Sequence, residues 1–126
     1  RCPEVRFVLD HIGKPAIRDG LLDPWRDHLR QLAAMQNVWC KLSGVVTEAD
    51  HASWTREQLR PYVEHAVECF GFERVMYGAD WPVSELTHRY PTWVEILEWI
   101  LAGCTEAELR KVFRDNAIAF YRLGVA

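Results

Sequence analysis

No apolar run in the sequence approaches the roughly 20 residues a helix needs to cross a bilayer. The longest candidate, residues 93–102, is short and carries Glu95 and Glu98. A basic cluster is missing too. The chain sets 15 Lys and Arg against 18 Asp and Glu, a net charge of -3, so the electrostatic footprint of a nucleic-acid binder is absent. Neither a membrane nor a nucleic acid is expected as a partner. Cysteines 2, 40, 69 and 104 form no close pair, which excludes zinc-ribbon and redox spacings. Cys40 and Cys69 lie in apolar stretches and read as small buried hydrophobes in a reduced, cytoplasmic setting. There is no Gly-rich phosphate loop and no Gly-x-Ser-x-Gly elbow, so nucleotide and serine-hydrolase chemistry are not indicated. The opening Arg1-Cys2-Pro3-Glu4 shows no signal-peptide pattern and no Met, and a start short of the native one is expected.

What is present is globular. With 49% hydrophobic and 26% charged residues over 126 positions, the chain can bury one real core. Residues 6–10 form a short apolar run closed by Gly13 and Pro15, read as a buried strand and loop. Trp25, Leu29, Leu32 and Ala33 recur at helical spacing, and Asp23 before Pro24 fits an N-cap with proline in the first turn. Residues 37–43 read as a second strand, and a loop over 45–54 follows Gly44. The next helix is plainer. Leu59, Tyr62, Val63, Ala66, Val67 and Phe70 share one face, Thr55 and Gln58 make a capping box, and Gly71 stops the helix. Residues 74–79 give a third strand, ending at Asp80-Trp81-Pro82. A helix over 91–102 follows, then a last one from Thr105 with Glu108 completing another capping box.

Alternation of this kind predicts an α/β fold with a parallel sheet and right-handed crossovers. Short strands apolar on both faces fit a sheet covered on both sides. Polar residues gather just after each strand: Asp10 and His11, Lys41 and Ser43, then Asp80. Ligands of such folds bind at the C-terminal strand ends, so the loops are expected to converge on one rim. A carboxylate there can take a proton from water or hold a metal, and an imidazole can polarise a carbonyl, hold a metal or relay a proton. Lys41 can neutralise a developing oxyanion or a substrate carboxylate. Each residue also has a structural reading. Asp80 before Trp-Pro reads as a turn residue, His11 as a packed histidine, and Lys41 as solvent-facing or paired with an acid. The tryptophans read mainly as core, although Trp81 beside Asp80 can wall a pocket. Asn116, on the apolar side of the last helix, is expected to bond a neighbouring backbone group.

In series these segments resemble a known family. Phe7-Val8-Leu9-Asp10-His11-Ile12-Gly13-Lys14-Pro15 is similar to the strand bearing the late histidine of the amidohydrolase-related lactonases. Cys40-Lys41-Leu42-Ser43-Gly44, with Thr47-Glu48-Ala49-Asp50, resembles the next strand and loop of the sugar-acid lactonase branch, exemplified by L-fuconolactonases and L-rhamnonolactonases. Val75-Met76-Tyr77-Gly78-Ala79-Asp80-Trp81-Pro82-Val83 resembles the last strand with its aspartate, and Asn116-Ala117 with Phe120-Tyr121-Arg122-Leu123 the final helix. Ala79 stands where the family usually has serine, and Ser84 where the branch often has cysteine.

The resemblance implies the C-terminal portion of a TIM (β/α)8 barrel, about three parallel βα units plus a final helix. Residues 1–126 would then be a single partial domain holding the last three strands. A whole barrel of this type needs about 250 residues, and the family's strand-one His-x-His is not in this sequence. By the same resemblance Asp80 is the general base for water, with His11 beside it. Lys41, Tyr77 and Trp81 contact the substrate, and the 47–50 loop helps choose it. Family members use no cofactor or one divalent metal, with zinc first, and His11 and Asp80 would be ligands only if a metal is bound. The implied reaction is hydrolysis of a sugar-derived lactone to its aldonic acid. A dicarboxylate lactone hydrolase or a metal-dependent decarboxylase is the runner-up. No arginine lies close behind these strand ends, which favours neutral sugars. The rival from another class is an inactive half-barrel that self-associates through its exposed sheet edges.

Overall fold

Three strands and the helices between them follow the alternation that the apolar periodicity predicts. A computed structural model describes residues 2–125. The expected domain span of 1–126 thus includes two terminal residues outside the described ones. The strands are β1 (Phe7–Leu9), β2 (Val38–Leu42) and β3 (Val75–Tyr77). They pair in parallel in the order β1-β2-β3, with Leu9 opposite Cys40 and Leu42 opposite Tyr77. Each strand is shorter than the apolar run that announces it. The reason lies at the C-terminal ends, where the chain turns through left-handed residues: His11 (φ 55°), Gly44 (φ 58°) and Asp80 (φ 56°). Extended pairing cannot continue through that conformation.

Helices α1 (Trp25–Ala33), α2 (Arg56–Phe70) and α3 (Tyr90–Ile100) connect and follow the strands. The core lies between these helices and one face of the sheet. Val38, Cys40 and Leu42 of β2 point into it with Leu29, Leu59, Val63, Ala66, Val75 and Leu97. Cys40 is fully buried, as its apolar setting predicts, and burial pushes its thiol pKa up. Cys69 is only partly buried and lies 3.4 Å from His65 Nε2. The capping box of α2 forms as expected, with the Gln58 amide donating to the Thr55 hydroxyl and the Thr55 amide donating to the Gln58 side chain. The N-cap of α1 does not. Asp23 accepts no helix N–H, because the Arg26 guanidinium engages its carboxylate at 3.0 Å instead. Arg74, at the entrance to β3, ties α1 to the sheet by donating to the carbonyls of Ala33 (2.8 Å), Met35 (3.0 Å) and Val38 (2.9 Å).

The last helical stretch opens with the predicted Thr105–Glu108 box but is not one regular helix. It runs as α4 (Glu106–Arg110), a wide π turn over Lys111–Asp115, and α5 (Asn116–Tyr121). It reaches the other sheet face, where Phe120 packs on Trp39 with ring centroids 5.5 Å apart. β1 departs from the expected two-sided burial: Phe7, level with Val38 on the helix-facing side, remains 47% exposed. Asn116 meets its expectation, donating from Nδ2 to the carbonyls of Phe72 (2.6 Å) and Val75 (2.7 Å). Asn116→Ala is expected to strip both carbonyls of this donor and destabilise the fold by about 1–3 kcal/mol, read from the urea midpoint. An unchanged midpoint would remove Asn116 from the forces that seat the last helix. Among the described residues the outer edges of β1 and β3 have no strand partner, and no helix is long and apolar enough to cross a membrane.

Candidate active site

The three turns that end the strands bring an imidazole, a carboxylate and a hydroxyl together. His11 follows β1, Ser43 and Gly44 follow β2, and Asp80 follows β3. A left-handed backbone costs a non-glycine residue roughly 1–2 kcal/mol, and such conformations cluster where side chains must be aimed. Here His11 and Asp80 both adopt it, at φ 55° and 56°. Their side chains face each other: His11 Nε2 lies 3.7 Å from Asp80 Oδ1. At that separation they share no direct hydrogen bond, and both can bond one atom placed between them. The side chains are 23% and 15% exposed, so the pair is neither sealed in the core nor free in solvent.

The opposite ring nitrogen is held. His11 Nδ1 lies 2.8 Å from Ser43 Oγ, and Ser43 is fully buried. Gly44 passes directly over the imidazole: a Cβ there would lie 2.7 Å from His11 Nδ1 and 3.0 Å from Asp80 Oδ2. From α3, Trp93 Nε1 donates to the carbonyls of Leu42 (3.3 Å) and Gly78 (3.2 Å), pinning the ends of β2 and β3 side by side.

Lys41 takes the acid-paired alternative. Its Nζ lies 2.8 Å from Asp10 Oδ1, and Asp10 Oδ2 lies 4.0 Å from His11 Nε2. The bond from Lys41 lowers the Asp10 pKa despite partial burial. Burial pulls the Lys41 pKa down, but hydrogen bonds with Asp10 and Tyr121 outweigh it and the net shift is upward. Both groups therefore stay ionised as a pair.

The other sequence candidates stand apart. Tyr77 is on the helix-facing side of β3 because alternation leaves Met76, opposite Lys41, on the rim-facing side. Its ring packs on Phe113 at 5.5 Å, and burial, then the neighbouring Tyr90, raises its pKa. Trp81 adjoins Asp80 but is 65% exposed rather than packed against the pair. In the 47–50 loop, Glu48 pairs with Lys14 at 3.2 Å and Asp50 with Arg18 at 3.7 Å, lining a separate open groove. Sequence reasoning gave no role to His88, whose Nε2 is buried without a partner among the described residues. Burial lowers its pKa, opposed by the charges of Glu85 and Asp80. Its Nδ1 lies 2.8 Å from the hydroxyl of the adjacent Thr87, and its ring meets Trp54 from a distant loop.

As a metal site the rim is incomplete. Among the described residues no group of three or more His, Cys, Asp or Glu side chains is placed to hold an ion. His11 and Asp80 offer two donors, whereas zinc sites take three or four protein ligands.

The L-fucono-1,5-lactonase of Burkholderia ambifaria is 40% identical over 129 residues, covering 98% of this chain and 43% of that protein. The 4-sulfomuconolactone hydrolase of Rhizobium radiobacter is 28% identical, covering 90% and 38%. The crystal structure of a Burkholderia multivorans amidohydrolase with bound zinc superposes with a TM-score of 0.90 at 36% identity, covering 94% of this chain and 44% of that one. The chain thus spans about two-fifths of the length of the curated relatives it matches. The family model described as amidohydrolase matches residues 1–123, and the chain belongs to that family.

Proposed function

We propose that these residues are the C-terminal portion of a (β/α)8-barrel hydrolase that opens a sugar-derived lactone to its aldonic acid. The observation that carries this reading is the 3.7 Å approach of His11 Nε2 to Asp80 Oδ1 at the C-terminal strand ends. The names of the relatives support lactone hydrolysis in general, and that of the Burkholderia ambifaria protein supports a sugar lactone. In this reading Asp80 takes a proton from a water whose oxygen attacks the lactone carbonyl carbon. His11 steadies the carbonyl oxygen as it gains charge. The ring C–O bond then breaks, and the proton held by Asp80 passes to the departing ring oxygen, which becomes a hydroxyl. The product acid ionises in neutral solution and releases a proton.

A neutral sugar fits better than a dicarboxylate because Lys41, the cation at this rim, is already paired with Asp10. The two donors fall short of a closed zinc site, so no step is assigned to a metal. The free cysteines suit a reducing, cytoplasmic setting. The unpaired edges of β1 and β3 support self-association of these residues when isolated from neighbouring strands.

The test is direct. The purified full-length protein, in weak buffer with a pH indicator, is expected to acidify L-fucono-1,5-lactone well above the spontaneous rate. Opening of a dicarboxylate lactone with no effect on sugar lactones would move the reading to the runner-up. No catalysis of either would end it.

A further inference from the structure

Ser43 is fully buried at the end of β2, and its hydroxyl lies 2.8 Å from His11 Nδ1. A hydroxyl can donate or accept, so the direction of this bond is decided at the other ring nitrogen. There Nε2 faces Asp80 Oδ1 at 3.7 Å and Asp10 Oδ2 at 4.0 Å. Ionised carboxylates only accept hydrogen bonds, and the Lys41 ammonium lies 2.8 Å from Asp10 Oδ1. A lone pair on Nε2 would confront two negative oxygens, whereas an N–H there is attracted to both. The proton of the neutral ring therefore belongs on Nε2, which leaves Nδ1 as an acceptor. The serine itself has little freedom: Gly78 approaches so closely that a Cβ on it would lie 2.9 Å from Ser43 Cβ.

We propose that Ser43 is a positioning residue that donates its hydroxyl hydrogen to His11 Nδ1 and so holds the imidazole, protonated on Nε2, aimed at Asp80. Its consequence for turnover rests on the lactone-opening reading; the tautomer itself does not. With Nε2 protonated, His11 presents a donor to the carbonyl oxygen, and Asp80 is left as the base of the pair. Partners that orient a site imidazole typically change activity by about 10–100-fold when removed.

Nitrogen-15 NMR of histidine-labelled protein reads the tautomer, with His11 assigned by the signal lost in His11→Gln. Wild type is expected to carry its proton on Nε2 with an acceptor-type Nδ1 shift. In Ser43→Ala the ring is expected to keep its Nε2 proton but lose the hydrogen-bonded Nδ1 shift, and kcat to fall about 10–100-fold with little change in KM. Ser43→Cys keeps a weak donor and is expected to restore part of that shift and of kcat. A wild-type proton on Nδ1, or an Nδ1 shift unchanged in Ser43→Ala, overturns the proposal. If wild type opens no lactone, the hydrolase reading falls while the NMR result still decides the role of Ser43.

Discussion

Asp80→Asn is expected to lower lactone turnover by about 10²–10⁴-fold, the range attributed to a positioned general base, while the protein stays folded. An amide has nearly the shape of a carboxylate but cannot take a proton from water at neutral pH. The backbone makes this variant unusually clean. Asp80 sits at φ 56°, in the left-handed region where asparagine is among the best-tolerated residues after glycine. The change should therefore leave the turn after β3 intact, along with the hydrogen bond the Ser84 amide donates to the Asp80 carbonyl at 2.9 Å. Alanine at the same position would add backbone strain to the chemical loss and confuse the two. Initial rates of acidification, set beside a urea melt of the same preparation, separate chemistry from stability. Near-normal turnover in a well-folded Asp80→Asn protein would remove Asp80 as the base, whatever its distance from His11.

The features most legible in the sequence are those written locally. The helical faces and the Thr55–Gln58 and Thr105–Glu108 boxes depend on residues a few positions apart, and they form as the spacing predicts. Features decided by competition or register were harder to read. Asp23 has the sequence of a cap, yet Arg26 three residues on provides a charged partner and takes its carboxylate. Tyr77 sits in an apolar run that does not reveal which alternate residues face the rim. That parity follows from the pairing of Lys41 with Met76, a relation between distant parts of the chain. The choice of Asp10 as the partner of Lys41 likewise depends on β1 lying beside β2. Least visible were the left-handed turns at His11 and Asp80. Neither is glycine, and although histidine and aspartate are enriched in that region among other residues, they adopt it too seldom for the sequence to announce it. The candidate pair could thus be named from the family resemblance of its segments, but the means of aiming it, including Ser43 and Gly44, could not.

Gly44→Ala is expected to damage the site and the fold together. An added Cβ would lie 2.7 Å from His11 Nδ1, 2.8 Å from His11 Cγ and 3.0 Å from Asp80 Oδ2. His11 Cγ is the root of a rigid ring held at Nδ1 by Ser43, so the imidazole cannot simply swing aside. The left-handed backbone, at φ 58°, adds a further cost of roughly 1–2 kcal/mol for any L side chain. Gly20→Ala supplies the control. Gly20 has a similar φ of 67°, but nothing lies within 4 Å of its would-be Cβ. That variant should lose only the backbone contribution, about 1–2 kcal/mol in a urea melt, and keep its turnover. Gly44→Ala should lose more stability than this and at least about 100-fold in kcat, because a displacement of about 1 Å between reacting groups can cost that much. If the two alanine variants instead turn over lactone at similar rates, the spacing of His11 and Asp80 is not what the site depends on. A loss confined to Gly44→Ala ties catalysis to the one position where the backbone of β2's turn meets both side chains.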